Sequence, residues 1–380
     1  MAGFIFYKKS VVYTYTTTMK KKLASKKKTV FVGLSGGVDS AVSAALLCRS
    51  GFDVVGVFIK TWQPDFIECT WKEERKDAMR IAAHLNIPFI TLDLEHAYKE
   101  GVAEYMIAEY EMGRTPNPDV MCNKEVKFGA FLSKALVMGA DAVATGHYAQ
   151  NILNNGRFEL HASPDSTKDQ SYFLWTLKEE QLMHVIFPVG GMNKKEVRKY
   201  AEFFKIPVAT KKDSQGVCFL GPLDMKEFLG HYIKNKKGKV LSTEGKIIGE
   251  HDGAWFYTLG ERHGFTITQK SAHDMPYYVV AKDIKKNTLT VSTTPKAPGE
   301  KSNTLTLEQF HIVTPGSAKD GGSYDAVVRY HGERFAVELL RLHDGGAQLR
   351  FKNEKPLVSS GQSVVLYQKE RVIGGGVVAG

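Results

Sequence analysis

A chain of 380 residues, 43% hydrophobic and 24% charged, has material for two or three packed domains. It contains no apolar run near the roughly 20 residues that a membrane-spanning helix needs. The formal charge of +10 suggests a polyanionic partner, but eight lysines and no acidic residue fall in residues 1 to 28, which leaves +2 for everything else. Four cysteines form no CxxC pair, so nothing points to a zinc knuckle or a disulfide framework.

Residues 1 to 28 have no helical apolar period, no continuous apolar stretch of the signal-peptide kind and none of the arginine favoured in organellar transit peptides. They read as a disordered basic extension. From residue 29 strand and helix alternate: TVFVGL, a helix over 39 to 50, DVVGVFIK, a helix over 71 to 86, PFITLDL, a helix over 96 to 111, and DAVATG at 141 to 146. This is the pattern of an α/β domain with a doubly wound parallel sheet. Ligands of such sheets sit beyond the carboxyl ends of the strands, where the Ser35 loop, Lys60, Asp93 and the Gly146-His147-Tyr148 turn all fall. The α/β pattern ends near residue 221. A short lysine- and glycine-punctuated stretch over 222–290 follows, and then alternating runs such as DAVVRY, FAVELL, AQLRF and SVVLYQ, which predict a small β-barrel over 291–380.

The strand at residue 30 runs into Ser35-Gly36-Gly37-Val38-Asp39-Ser40 and then into a helix, the layout of a phosphate-binding loop, but the loop contains no lysine. Hydroxyls, glycine amides and a helix N-terminus would meet the anion, with Asp39 placed to reach a nucleotide-bound magnesium. The block resembles the SGGxDS loop of the ATP pyrophosphatases.

The cysteines are judged singly. Cys48 lies on the apolar face of the first helix and reads as core, and Cys69 sits in a loop with no motif around it. Cys122 follows Thr115-Pro116-Asn117-Pro118-Asp119, where two prolines predict a stiff loop ahead of a helix starting near Lys124. That helix N-terminus, Lys124 and Lys127 would favour a thiolate, and Asp119 would exchange protons with it. Cys218 stands in DSQGVCFL, a short polar turn. Taken alone, each of these last two thiols fits an inert loop or core position as well as a reactive one.

Together the blocks SGGVDS, TPNPDVMCNKEVKFG, ATGHYA, KDQSYFLW and DSQGVCFLG resemble, in order and approximate spacing, those of the tRNA-specific 2-thiouridylases, which convert the wobble uridine of certain tRNAs to 2-thiouridine. The resemblance runs from about residue 29 to the C-terminus. It implies an adenine nucleotide alpha-hydrolase-like PP-loop domain over 29–221, a central tRNA-binding domain over 222–290 and a C-terminal β-barrel over 291–380. ATP with Mg2+ would be held by Gly33, Leu34, Ser35, Gly36, Gly37, Val38, Asp39 and Ser40, with Ile59 and Gly146; the magnesium would lie near Asp39. Asn117, Pro118 and Asp119 would meet the target base, with Asp119 as general acid and base. Cys122 would be the nucleophile and Cys218 the persulfide carrier. His147, Lys168, Asp169, Gln170, Arg329, Tyr330 and Gln362 correspond to tRNA contacts. The implied partners are tRNA and a persulfide donor, either a cysteine desulfurase or a sulfur-relay protein, in the cytoplasm and without a membrane. Many members carry methionine where Ile59 stands, and the residues before 29 have no family counterpart.

The residue types suit that chemistry. The C2 oxygen of uracil is a poor leaving group until adenylated, and a persulfide then supplies sulfur as the nucleophile. The reaction leaves a Cys122–Cys218 disulfide that a cytosolic reductant must reset. Residues 194 to 212, with seven basic residues against two glutamates, and the run KNKKGK at 234 to 239 are expected to track RNA phosphates, with Tyr257 and Tyr330 offering aromatic faces. Another ATP pyrophosphatase such as a tRNA lysidine synthetase would share the loop but have no use for both thiols. Two further alternatives are an RNA-binding protein that only retains nucleotide affinity and a metal site built from Cys122, Cys218 and His147.

Overall fold

The computed structural model describes residues 27–67, 71–213, 225–268, 275–296, 302–341 and 345–380. Cys69 and Cys218 lie outside the described residues, as does most of the basic extension.

Five parallel strands form the first sheet: β1 (Thr29–Gly33), β2 (Asp53–Lys60), β3 (Phe89–Asp93), β4 (Ala142–Ala144) and β7 (Val185–Ile186), in the order β3-β2-β1-β4-β7. Both faces are covered. Val30 and Val32 pack with Val42, Leu47 and Ile81 on one side, and Phe31 between them packs with Val57, Tyr98 and Phe131 on the other. Such two-sided burial is why these strands read as unbroken β-branched runs. The chain leaves β1 for β2 on one side and returns to β4 on the other, so the strand order reverses at β1. The crevice at that reversal is where an open α/β sheet binds its ligand.

Helix α1 (Val38–Arg49) follows β1 and α2 (Trp71–His84) follows β2. Helix α3 covers 95–111, as expected, but winds as a π-helix over Lys99–Glu104. Helix α4 covers 118–137 and begins earlier than the predicted start near Lys124. Asn117 caps it, its side chain accepting from the Val120 N–H at 3.2 Å, and Pro118 occupies the first position, where no N–H is needed. Cys122 is therefore inside a helix and not in a loop. It opens a ten-residue π-helical stretch, Cys122–Phe131. Helix α5 (Lys194–Phe203) is fixed by a reciprocal capping box between Asn193 and Glu196.

The second sheet, β8 (Gly238–Leu241), β9 (Ile247–His251), β10 (Thr266–Ile267), β11 (Tyr278–Asp283) and β12 (Thr288–Ser292), has the order β10-β9-β8-β12-β11. The predicted barrel is present and closed. Its six strands are β13 (Thr304–Ile312), β14 (Ser323–Val327), β15 (Arg334–Arg341), β16 (Ala347–Phe351), β17 (Ser363–Gln368) and β18 (Arg371–Val378), with β13 pairing both β16 and β18. A hairpin that the sequence reading did not single out, β5 (Ala149–Asn154) and β6 (Arg157–Ala162), leaves the α/β domain and joins β18 through His161 and Arg371. Among the described residues no helix is long and apolar enough to cross a membrane.

Candidate functional site

The loop after β1 is shaped by its glycines and serines. Gly36 has φ of +72°, and a Cβ there would lie 2.6 Å from the Glu74 carbonyl oxygen. Gly146, in the turn after β4, packs so closely that a Cβ would lie 2.7 Å from the Ser40 nitrogen. The two turns that flank the strand-order reversal are thus in contact. Ser40 Oγ accepts from the Ser35 N–H at 3.3 Å and lies 3.2 Å from Ser35 Oγ, closing the loop on itself. Gly37 caps α1 with no side-chain acceptor, so the first amides of this 12-residue helix are left for an anion. Leu34 and Val38 are buried in the core behind the loop, Gly33 ends β1, and Ile59 is buried at the end of β2 on the other face of the sheet.

The loop has no cation of its own, but the fold brings two to it. Lys194, first residue of α5, donates to both Asp39 oxygens at 2.7 and 2.9 Å and to Asp213 at 2.9 Å. Lys211 donates to the Gly36 carbonyl at 3.1 Å and to Asp77 at 2.8 Å. In a trans peptide the N–H points opposite the carbonyl, so Lys211 also sets the direction of the Gly37 N–H. Both lysines belong to the basic run expected to track RNA. That expectation is corrected for them: they turn inward onto carboxylates and the Ser35–Ser40 loop, while Lys195 and Lys199 of the same run are exposed. Tyr148 donates to Asp39 at 2.8 Å, and burial, then the Asp39 charge, push its phenol far above the usual range, so it remains a donor. Burial alone would raise the Asp213 carboxyl, but hydrogen bonds from Lys168 and Lys194 outweigh it and hold the group at about 2.

Cys122 is fully buried in the core beside Val120 and Val126. From the same π-helical stretch Lys127 approaches His147 Nε2 at 3.4 Å, and His147 Nδ1 lies 2.7 Å from Thr145 Oγ1. Burial first, and then the Lys127 charge, lower the His147 pKa well below its ordinary value, so the ring is neutral; this hydrogen-bond pattern assigns its proton to Nδ1. The expected RNA contact at His147 is accordingly a buried link, packed against Phe128 and Phe187, between the cysteine-bearing helix and the turn beside the phosphate loop. Among the described residues no group of three His, Cys, Asp or Glu side chains could hold a metal.

The remaining expected RNA contacts are also tied inward. Lys168 donates to Asp213 at 2.8 Å, Asp169 accepts from Ser163 and Ser171, and Gln170 accepts from the Tyr148 N–H at 3.0 Å. Arg329 donates to the carbonyls of Leu259 and Leu357 and so clamps the central domain to the barrel. Gln362 accepts from the Ser359 N–H at 3.0 Å. Tyr330 is different: it is half-exposed, its ring 4.4 Å from that of Phe173, and the partial burial of its phenol, then the charges of Asp169 and Asp119, raise its pKa. The barrel thereby brings an aromatic face near Asp119. Arg114, just ahead of Asn117, donates to Glu109 and to Glu308 of β13 and ties this loop to the barrel. Asn117 also borders a cavity of about 160 Å³ shared with Lys124, Trp175, His311 and Ser363. Sequence reasoning gave Lys194 and Lys211 to RNA and missed Arg114, because nothing local distinguishes the three from other surface cations.

Residues 28–222 match the family model of the tRNA methyl transferase HUP domain, 226–293 that of the tRNA methyl transferase PRC-barrel domain, and 302–378 that of the aminomethyltransferase beta-barrel domain. The tRNA-specific 2-thiouridylase MnmA of Neisseria meningitidis serogroup B is 43% identical over 351 residues, covering 92% of this chain and 95% of its own. That of Shouchella clausii is 42% identical over 351 residues, 92% of this chain and 96% of its own. That of Methylobacillus flagellatus is 40% identical over 355 residues, 93% and 99% of the two chains.

Proposed function

The chain belongs to the tRNA-specific 2-thiouridylase family, and from that premise we propose that it uses ATP to activate the wobble uridine of tRNA at O2 and replaces that oxygen with sulfur. The observation that supports this most directly is the contact between the Ser35–Ser40 loop and the Gly146 turn, linked through Thr145, His147 and Lys127 to the helix that carries Cys122. A site for phosphates and a site for a thiol thus share one framework. Methyl transfer, the chemistry named in the domain descriptions, has no use for a phosphate loop.

In this reading the uridine O2 attacks the α-phosphorus of ATP and pyrophosphate leaves into the amides of Gly36, Gly37 and the first turn of α1. Magnesium, carried on the phosphates, would spread their charge with Asp39 as the carboxylate placed to share it. Asn117, Pro118 and Asp119 position the base, and Asp119 moves its protons. The terminal sulfur of a persulfide on Cys218 bonds to C2, and AMP departs with the original oxygen. Cys122 then attacks the Cys218 sulfur, breaking its bond to the transferred sulfur and freeing the 2-thiouridine, or does so beforehand to release hydrosulfide as the nucleophile; the disulfide so formed takes two electrons from a dithiol reductant. Because Cys122 is buried, the helix or its neighbours must shift before this step.

The test is to incubate the protein with unmodified tRNA, ATP, Mg2+ and a protein persulfide donor. Nucleoside mass spectrometry should find one 2-thiouridine per AMP and pyrophosphate released. A methylated nucleoside, or ADP and phosphate as products, would refute the reading.

A further inference from the structure

We infer that Lys194 is the phosphate-contacting lysine that the Ser35–Ser40 loop lacks: with ATP bound, its ammonium exchanges Asp39 for the β,γ-phosphates. This rests on the nucleotide reading above and assigns a new residue to that site.

Three observations carry it. The first is position. The Lys194 ammonium lies within 2.9 Å of both oxygens of Asp39, a residue of the loop itself, although 155 residues separate them in the chain. Its side chain is only 15% exposed, so this is an internal placement and not a wandering surface charge.

The second is what is fixed and what is not. The backbone of Lys194 is held from both sides, by the Asn193–Glu196 capping box and by donation of its own N–H to Asp165 at 2.9 Å. The helix end therefore stays in place while the four-carbon stem remains able to swing.

The third is the local charge. Asp213 already has Lys168 and Arg198 as partners at 2.8 and 2.7 Å, so Lys194 is the third cation around Asp39 and Asp213. Departure of Lys194 leaves Asp213 paired. If magnesium engages Asp39, that carboxylate no longer needs the ammonium either. The polyphosphate that arrives with the metal is then the strongest acceptor within the reach of Lys194. Lys211 does not share this freedom, because it holds the Gly36 carbonyl and Asp77 and so maintains the shape of the loop.

The experiment compares ATP and AMP binding, by calorimetry in Mg2+, for the full-length wild type, Lys194→Ala and Lys194→Arg. AMP lacks the phosphates in question. We expect Lys194→Ala to weaken ATP by about 10- to 100-fold, the range for one charge-assisted hydrogen bond, while AMP changes less than about twofold. Lys194→Arg should recover most of the loss. A structural role alone would weaken both nucleotides together, and that result, or an unchanged preference for ATP over AMP, would overturn the inference. Lys194→Gln, which is one bond shorter but uncharged and still a donor for Asp39, carries the same comparison should the alanine variant not fold. Wild-type protein that bound neither nucleotide would remove the nucleotide reading and this inference with it, whereas wild-type binding with an unaltered preference in the variants removes the inference alone.

Discussion

Lys168 and Asp213, 45 residues apart, form an ion pair at 2.8 Å that joins the segment after β6 to the segment after α5. The pair is one corner of a cluster in which Asp213 also receives Lys194 and Arg198.

This cluster sets an acid dependence of stability. A carboxyl held at about 2 in the folded chain, against an ordinary value near 3.8, binds its proton less readily when folded. Its stabilisation is therefore fully present above about pH 4 and disappears as the pH falls through about 2. Asp213→Asn should cost about 1–2 kcal/mol at pH 7. Urea unfolding of wild type and variant should show that gap closing as the pH is lowered from 5 towards 2. A gap that stayed constant would mean that Asp213 acts through packing and not through charge.

The phosphate loop gives a sharper test. On the proposed reading, Asp39→Asn removes the carboxylate that would share magnesium while keeping shape and a hydrogen-bonding group for Tyr148 and Lys194. Pyrophosphate release from ATP in the presence of tRNA should fall by at least about 100-fold, the scale of one preorganised electrostatic contact, with the melting temperature little changed. Release at the wild-type rate would show that the loop has another purpose.

The two thiols should divide their labour. Loaded from a protein donor, wild type and Cys122→Ser should both carry a persulfide on Cys218, located by mass spectrometry of peptides, and Cys218→Ser should carry none that reaches tRNA. Both variants should lose 2-thiouridine formation and retain adenylation. A transferable persulfide found on Cys122 would reverse the roles.

RNA affinity should rest on exposed cations of the body. Neutralising Lys195 and Lys199 together with Lys236 and Lys237 should weaken tRNA binding and flatten its dependence on salt, each lost phosphate contact lowering the logarithmic slope by roughly one. Deleting residues 1 to 28 should matter little. If filter binding instead showed most of the affinity lost with the extension, the extension is the RNA-binding element.

The parallel sheet was legible because strands buried on both faces must be apolar throughout, and the turn from β1 into α1 because its paired glycines mark it locally. The start of α4 was legible too, but the signal was misread: Asn117-Pro118 is a cap followed by a first-turn proline, and reading it as a stiff loop placed Cys122 outside the helix. The inward turn of Lys194 and Lys211 was not legible. A lysine facing solvent and one facing a carboxylate 155 residues away look alike in sequence, and only the docking of α5 against α1 separates them. The burial of His147 was not legible for the same reason, since it depends on Phe187 from a distant segment.

The π-helical stretch from Cys122 to Phe131 makes this part of the chain sensitive to length as well as to composition. Its turns are wider than those of an α-helix, with each amide reaching back five residues, and Gly129 gives room for this, a Cβ there lying 2.7 Å from the Lys124 carbonyl oxygen. Removing one residue from this stretch would change the winding between its two ends and so alter how the helical segments on either side are set relative to one another. Cys122 would then no longer keep its present angle to the Lys127–His147 link. Homologous chains should therefore tolerate insertions and deletions in the loops around this helix and preserve the residue count between Cys122 and Phe131.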